Sequence, residues 1–301
     1  ANCIKMPVVR EKNAGIGDSA SFAKGRTRVN NMNSLEMLVN WFSGNGDKVL
    51  VALSGGVDSA VVALAAKEAL GKGALAITAD YKTLSQEELA TARQVAQEIG
   101  IAHRIVRYDE LENPDFVKND NMRCYHCRTE LGEHLAAEAR KEGISLVVDG
   151  TNLDDLSDYR PGIKALREHG IRSPMAELGI DKAEIRRIAK ERGLSIFDKP
   201  SNACLASRIP TGTEVTYEKL RKIERSEIVV KSIFGVRQVR VRDHGDVARI
   251  EVGRDELARI FDVEKLALLD EKLKELGFKN VSIDAAGYSP GKLVIAGGKD
   301  G

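Results

Sequence analysis

The segment VLVALSGGVDSAVVAL, residues 49–64, constrains the fold of this chain more than any other. An apolar run of β-strand length ends at a Ser-Gly-Gly turn, and a second apolar run follows after an Asp-Ser pair. In an open α/β sheet, such a strand–turn–helix junction lies at the carboxyl ends of the strands, where ligands bind. The segment therefore predicts a parallel α/β sheet with a binding corner beside its first strand.

Strand and helix patterns alternate on both sides of this junction. The strand patterns are Val49–Leu53, Ala74–Ala79, Ala102–Arg107 and Ser145–Asp149. The helical patterns between them lie near Ala60–Leu70, Gln86–Ile99 and Thr129–Glu142. This alternation predicts the α/β class, with a doubly wound parallel sheet.

The pattern changes after about Pro210. A helix near Tyr217–Phe234 precedes a β-hairpin with its turn at Asp243–Gly245, and a second helix and a short strand follow at Val263–Leu276 and Val281–Asp284. This α-β-β-α-β order predicts a second, smaller α+β domain. The expected division is a loosely ordered or non-native tail at 1–31, an α/β domain with the binding corner at 32–210 and the small domain at 211–301.

Charge and cysteine content narrow the class of protein. The chain has 46 lysines and arginines against 45 aspartates and glutamates, which gives no reason to expect a surface that binds nucleic acid. No apolar run has the length of a membrane span. Four cysteines in 301 residues do not make a disulfide scaffold. We therefore expect a soluble cytoplasmic protein with reduced thiols.

The Ser-Gly-Gly turn has the groups that bind phosphate. Gly55 and Gly56 allow backbone N–H groups to approach a ligand closely, and Ser59 adds a donor at the positive end of the helix dipole. The segment does not match the P-loop, the dinucleotide-binding fingerprint or the nucleophile elbow. The alternative is a glycine-rich turn without a ligand.

A second polar segment, DGTNLDDLSDYRPG, begins at the end of the strand pattern Ser145–Asp149. Its residues Gly150, Thr151 and Asn152 are predicted to face the same cleft as the Ser-Gly-Gly turn and to contact the same ligand. An Asx turn with a helix cap is the alternative, and both interpretations are compatible.

Cysteines occur in two further segments. The C-x-x-C of RCYHCR, formed by Cys124 and Cys127, is compatible with half a zinc site, a redox pair, cluster ligands or two buried thiols. The segment KPSNACLASRIPTG places Cys204 near Ser207 and Arg208 between two prolines. A neighbouring cation favours the thiolate, and such a loop is a frequent place for chemistry, although a buried structural cysteine is the alternative.

The turn sequence S-G-G-x-D-S resembles the pyrophosphate loop (PP-loop) of the N-type ATP pyrophosphatases. Ser54, Gly55, Gly56, Asp58 and Ser59 match that loop one by one. The resemblance implies a nucleotide-binding fold that uses ATP and Mg²⁺, with Asp58 assisting the metal. Members of the superfamily adenylylate a carbonyl or carboxyl oxygen, release pyrophosphate, and let a nucleophile displace AMP.

A more specific resemblance extends from about Met32 to about Tyr288. The strings GTNLDDLSDYRPG, SPMAELGIDKAEIR and CLASRIPTG resemble the LarE family of ATP-dependent sulfurtransferases. The resemblance implies that the substrate is pyridinium biscarboxylic acid mononucleotide, whose carboxylates become thiocarboxylates during synthesis of the nickel-pincer cofactor. The expected partners are this small-molecule nucleotide and a sulfide donor, in a homo-oligomer that binds neither nucleic acid nor membranes.

The resemblance leaves two sources of sulfur. Some LarE-type enzymes sacrifice the sulfur of the cysteine that matches Cys204 and retain dehydroalanine. Others have an additional C-x-x-C and hold a 4Fe-4S cluster on three cysteines, with an extra sulfide on the fourth iron. Cys124, Cys127 and Cys204 match the second group, and three thiolates suit iron–sulfur ligation. The sequence therefore favours the cluster, and Cys3 remains in the tail.

The resemblance also implies residues for the substrate. Arg240 and Arg242, two residues apart on a predicted strand, share one face and match the family's phosphate-binding arginines. The alternative for any such pair is a solvated strand face. The residues implied at the reacting end are Cys204, Ser207, Arg208, Glu227 and Glu251. Either glutamate could orient the substrate or only pair with an arginine.

Three other functions remain open. A tRNA thiolase shares the loop and sometimes a three-cysteine cluster, but it usually has a basic RNA-binding module. An amidotransferase-type synthetase would need a glutaminase segment, which the sequence lacks. A nucleotide-binding regulator without activity is the alternative from another class. Release of pyrophosphate with candidate substrates distinguishes these functions.

Overall fold

The structure is a computed structural model that describes residues 33–157 and 161–289. The predicted tail at 1–31, with Cys3, lies outside the described residues. None of the helices in the described ranges has the length and apolar character that crossing a membrane requires.

A parallel sheet of four strands forms the centre of the first part of the chain. Its strands are β1 (Val49–Ala52), β2 (Ala74–Asp80), β3 (Ala102–Arg107) and β4 (Leu146–Val148), in the order β3-β2-β1-β4. Val49 of β1 pairs with Ala74 on one side and with Leu146 on the other. The strand order therefore reverses between β1 and β4, and this switch point is where open α/β sheets bind ligands.

Helices cover both faces of this sheet. They are α1 (Ser34–Ser43), α2 (Val57–Leu70), α3 (Gln86–Ile99), α4 (Pro114–Val117), α5 (Arg123–Glu142), α6 (Pro161–Glu168), α7 (Pro174–Glu177) and α8 (Lys182–Glu191). Val49 and Val51 belong to the core formed with α1, α2 and α8, whereas Leu50 belongs to the core formed with α5 and α6. A sheet buried on both faces is typical of parallel α/β folds, and the predicted fold class is confirmed.

Helix α2 lies in the interior along most of its length. Val57 and every residue from Ser59 to Ala66 are buried, because small side chains such as Ala60 and Ala63 allow neighbours to pack on all sides. A helix that is apolar all round is a core helix. Its N-terminus, which begins directly after the Ser-Gly-Gly turn, is therefore held firmly at the carboxyl edge of the sheet.

A separate three-stranded sheet follows in the last part of the chain. Its elements are α9 (Tyr217–Phe234), β5 (Val239–His244), β6 (Val247–Val252), α10 (Val263–Glu275) and β7 (Asn280–Ile283). The strand order is β5-β6-β7, with β5 antiparallel and β7 parallel to β6. The helices and strands have the predicted α-β-β-α-β order, with their own core. The division into domains at residue 210 stays a prediction.

A small apolar cluster lies beside the cysteines. Its buried members are Phe116, Leu205, Ala206, Ile209, Val215, Leu220 and Ile223. Cys127 from α5 and Cys204 from the loop before α9 both pack against this cluster. Two cysteines that are far apart in the sequence are therefore held in one neighbourhood by apolar packing.

Candidate active site

The PP-loop, residues Ser54–Ser59, connects β1 to α2 at the switch point. The Ser59 hydroxyl accepts a hydrogen bond from the Ser54 amide at 3.1 Å and donates one to the Gly56 carbonyl at 3.1 Å. The Ser54 and Ser59 hydroxyl oxygens lie 3.2 Å apart. No side chain in the described part of the chain caps α2 at Gly56, so the first amides of the helix are available to an anion.

Gly55 is required by both the conformation and the packing of this loop. Its φ angle is +79°, which side chains disfavour, and an added Cβ would stand 2.6 Å from the Glu88 carbonyl oxygen and 3.3 Å from the Ala92 nitrogen. The PP-loop therefore rests directly on the backbone of α3.

The loop after β4 completes this corner. The Asp149 carboxylate accepts hydrogen bonds from the Thr151 amide at 3.2 Å, the Thr151 hydroxyl at 2.6 Å and the Ser173 hydroxyl at 2.7 Å. This is the Asx turn that the sequence offered as an alternative. The same turn brings Gly150 against the start of α2, since an added Cβ at Gly150 would stand 2.7 Å from the Ser59 nitrogen.

Gly150→Ala is expected to weaken ATP binding about tenfold, because the new methyl group would push the β4 loop away from the amides that begin α2. Overpacking of this kind usually costs about 1–3 kcal/mol. Isothermal titration with a non-hydrolysable ATP analogue measures the effect. Gly44→Ala is the matched control, since a Cβ there meets no atom closer than 3.4 Å. Equal affinities in the two variants would contradict this packing argument.

Asp58 is the centre of a polar cluster at the PP-loop. Its carboxylate forms an ion pair with Lys182, and the Asn152 amide donates to its other oxygen at 3.4 Å. Mg²⁺ in nucleotide sites is commonly held by one or two carboxylates together with phosphate oxygens and water, so Asp58 fits the predicted metal. Sequence reasoning missed Lys182, because 124 positions separate it from Asp58.

Cys124 and Cys127 lie in the first turns of α5, three residues apart and hence on one face of the helix. Buried Arg123 connects this turn to the Cys204 loop, since its guanidinium donates to the Ala206 carbonyl at 3.0 Å and to the Cys124 sulfur at 3.8 Å. Burial lowers the pKa of Arg123, but nearby Cys204, Cys124 and Cys127 outweigh it and raise that pKa. Arg123 therefore contacts the Cys124 thiol directly and joins α5 to the loop that contains Cys204.

The three cysteines differ in exposure. Cys124 is exposed, whereas Cys127 and Cys204 are half-buried. Burial raises the pKa of the Cys127 thiol to about 12, and the neighbouring Cys204 adds to the increase. Within 33–157 and 161–289, no three His, Cys, Asp or Glu side chains stand in an arrangement that could hold a metal ion. The donor set fits a three-thiolate cluster in its chemistry and neighbourhood, but the side chains would have to reorient to ligate it.

Arg208 organises the loop that contains Cys204. The residue is 1% exposed, and its guanidinium forms a bidentate pair with Glu227, at 2.8 and 3.2 Å. It also donates to the carbonyls of Ala203 and Cys204, at 2.6 and 2.9 Å, and to the Ser207 hydroxyl at 3.0 Å. Arg208 and Glu227 thus fix the loop in this structure, and a role for them and Ser207 at the reacting carbon stays a prediction.

Arg240 and Arg242 point to the same loop from β5. Arg240 donates to the Ser201 carbonyl at 2.7 Å, and Arg242 donates to the Ser207 carbonyl at 2.7 Å and to Glu251 at 2.8 Å. Their exposed fractions are 4% and 5%, so the alternative of a solvated strand face is wrong. Burial, together with the neighbouring Arg208, lowers the pKa of Arg240. Glu251 pairs with an arginine, which is one of the two roles that the sequence allowed for this glutamate.

The PP-loop region matches a known family. Residues 46–125 match the asparagine synthase family. This match covers β1, the PP-loop, α2, β2, α3 and β3, and ends within the first turn of α5. The match therefore supports the nucleotide-binding half of the fold.

Comparison with curated proteins covers most of the chain. It is 45% identical over 252 residues to the uncharacterised protein slr1717 of Synechocystis, with 84% of this chain and 94% of that protein covered. The chain is 33% identical over 248 residues to pyridinium-3,5-bisthiocarboxylic acid mononucleotide synthase of Lactiplantibacillus plantarum. That match covers 82% of this chain and 88% of the synthase.

A tRNA-modifying relative is more distant. The chain is 26% identical over 161 residues to a probable tRNA sulfurtransferase of Methanobrevibacter smithii, with 50% of this chain and 42% of that protein covered. Identity to the mononucleotide synthase is higher, and that match covers 82% of this chain rather than 50%. The chain therefore belongs to the LarE family of PP-loop, ATP-dependent sulfurtransferases.

Proposed function

We propose that this protein adenylylates the carboxylates of pyridinium biscarboxylic acid mononucleotide and converts them to thiocarboxylates. The observation that supports this most is the similarity to the Lactiplantibacillus synthase, which extends over 88% of that protein. The arrangement of groups agrees with it, because the PP-loop lies at the switch point of the sheet and two buried arginines of β5, Arg240 and Arg242, contact the loop that contains Cys204. The product fits a place in nickel-pincer cofactor synthesis.

The PP-loop half of the site binds and activates ATP in this proposal. The amides at the start of α2 and the hydroxyls of Ser54 and Ser59 bind the β- and γ-phosphates. Lys182, beside Asp58, adds a positive charge for the leaving pyrophosphate. A substrate carboxylate oxygen attacks the α-phosphorus, the bond to the bridging oxygen of pyrophosphate breaks, and an acyl-adenylate forms.

The second half of the site delivers sulfur. Cys124, Cys127 and Cys204 would hold a 4Fe-4S cluster, and the chemistry it would supply is sulfide as the nucleophile. Sulfur adds to the acyl carbon, the carbon–oxygen bond to AMP breaks, and a thiocarboxylate and AMP result. The second carboxylate requires another ATP. The alternative is that Cys204 gives up its own sulfur and becomes dehydroalanine.

Arg240→Ala and Arg242→Ala are expected to raise the KM for the mononucleotide about 10- to 100-fold and to change the KM for ATP much less. Loss of one charge-assisted contact costs about 1.5–3 kcal/mol. Steady-state release of pyrophosphate with each substrate varied in turn measures the two constants. Arg249→Ala, which removes the half-exposed arginine that also pairs with Glu251, is the control. Unchanged mononucleotide KM values would mean that both arginines only hold the loop.

The proposed function is tested by incubating the protein with ATP, Mg²⁺, sulfide and the mononucleotide under anaerobic conditions. We expect AMP, pyrophosphate and a thiocarboxylate, the last detected by the mass increase of oxygen-to-sulfur exchange. Cleavage of ATP to ADP and phosphate would contradict the adenylylation. Thiolation of tRNA, with no reaction of the mononucleotide, would assign the protein to the rival class.

A further inference from the structure

Glu88 on α3 is a buried carboxylate that the proposed reaction does not use. Only 7% of the residue is exposed, although an ionised group in the interior is costly unless it is paired and hydrogen-bonded. One oxygen accepts a hydrogen bond from Lys199 at 2.9 Å, and the other accepts one from the Asn202 amide at 3.0 Å. Lys199 lies just before the loop that contains Cys204, and Asn202 lies within that loop.

The same carboxylate lies against the PP-loop. A Cβ on Gly55 would stand 3.4 Å from a Glu88 carboxylate oxygen and 2.6 Å from the Glu88 carbonyl oxygen. Lys199 also donates to the Gly55 carbonyl, at 3.2 Å. Glu88 and Lys199 therefore contact the ATP-binding loop and the segment that precedes Cys204 at the same time.

The connection continues from Asn202 to the cysteine itself. The Asn202 side-chain oxygen accepts from Arg208 at 2.9 Å, and Arg208 donates to the Cys204 carbonyl at 2.9 Å. Each hydrogen bond in this path involves a charged group or a buried side chain, where such bonds are stronger than at the surface. The path runs from the PP-loop to the sulfur-bearing loop without a gap.

We infer that Glu88 is a positioning residue that holds the Ser201–Arg208 loop in register with the PP-loop. This inference rests on the proposed function, in which the acyl-adenylate forms at the PP-loop and sulfur must then reach the acyl carbon. Misplacement by about 1 Å can cost about 100-fold in rate. An acyl-adenylate that sulfur does not reach is open to hydrolysis by water. Loss of register therefore consumes ATP without transferring sulfur.

Glu88→Gln is therefore expected to uncouple the two half-reactions. Pyrophosphate release stays within about threefold of the native rate, while sulfur transferred per pyrophosphate released falls about tenfold or more. Lys199→Met is expected to have the same effect. The double variant is expected to transfer as much sulfur per pyrophosphate as either single variant, because both substitutions remove the same contact between Glu88 and Lys199. Glu87→Gln is the matched control, since that neighbouring carboxylate is 58% exposed.

Hydrogen exchange provides a readout that is independent of the substrate. With ATP analogue alone, the amides of residues 201–208 are expected to be protected in the native protein and in Glu87→Gln, but less protected in Glu88→Gln. A melting temperature close to that of the native protein shows that Glu88→Gln is folded. If Glu88→Gln is unfolded, the same measurements are made on Lys199→Met. Unchanged protection of these amides, or an unchanged ratio of sulfur to pyrophosphate, would overturn the inference.

The two readouts also separate this inference from the function on which it rests. Absence of thiocarboxylate in the native reaction would refute the proposed function. The exchange measurement with ATP analogue would still decide whether Glu88 holds the cysteine loop against the PP-loop. Protection lost in Glu88→Gln but kept in Glu87→Gln would support the positioning role even in that case.

Discussion

Asp58→Ala is expected to reduce the cleavage of ATP to AMP and pyrophosphate about 100-fold or more. Asp58 lies within the PP-loop, pairs with Lys182 and accepts from Asn152, so its removal disorganises the residues that face the phosphates. Loss of one electrostatic group at a reacting centre commonly costs about 100- to 1000-fold. Release of pyrophosphate under saturating substrate measures the effect.

Two further variants provide a control for Asp58→Ala and a second test of the PP-loop. Asp47→Ala removes an exposed aspartate just before β1 and is expected to leave the rate unchanged. Ser54→Ala removes one of the two hydroxyls that close the loop and is also expected to reduce ATP cleavage greatly. A native-like rate in Asp58→Ala would exclude this residue from the ATP site.

The local features of the sequence predicted most of the fold. Helix α3 has the predicted bounds, Gln86–Ile99, because both ends have strong signals: Ser85 accepts from the Glu88 amide, and Gly100 adopts the left-handed conformation. The four strands were recognised as short apolar runs that end at polar turns. Such signals depend on neighbouring residues only, and a single sequence contains them.

Two helices begin earlier than their apolar patterns indicated. Helix α2 starts at Val57 rather than near Ala60, directly after the glycine turn. Helix α5 starts at Arg123 rather than near Thr129. Its first turns contain polar residues and the exposed Cys124, so apolar periodicity does not mark them. The earlier start places the C-x-x-C within helix α5 rather than before it. This matters for function because both of its cysteines are proposed cluster ligands.

The contacts that assemble the candidate site were beyond sequence reasoning. Lys182 meets Asp58, Lys199 meets Glu88, and Arg242 meets the Ser207 carbonyl only after the sheet and the loops have packed. The sequence separations of these pairs are long, and lysine or arginine at each position is equally compatible with a solvated surface. Tertiary packing, rather than any local pattern, selects these partners.

The largest expected effect concerns the sulfur. Replacing Cys124, Cys127 or Cys204 by serine is expected to reduce thiocarboxylate formation about 1000-fold, because removing one member of a catalytic unit removes nearly all of its contribution. Adenylylation is expected to survive, since the contacts described for the PP-loop include none of the three cysteines. Product analysis by mass spectrometry and parallel measurement of pyrophosphate separate the two half-reactions. Cys3→Ser is the control and is expected to behave as the native protein.

Iron content and protein mass then decide between the two sources of sulfur. If the three thiols hold a cluster, each serine variant loses iron and visible absorption after anaerobic purification, and the native protein with added sulfide turns over repeatedly at constant polypeptide mass. The packing of Cys127 and Cys204 on one apolar cluster, with Arg123 joining α5 to the Cys204 loop, favours this outcome. Conversion of Cys204 to dehydroalanine with one sulfur delivered per chain would establish the sacrificial route, and Cys124→Ser would then leave sulfur transfer intact.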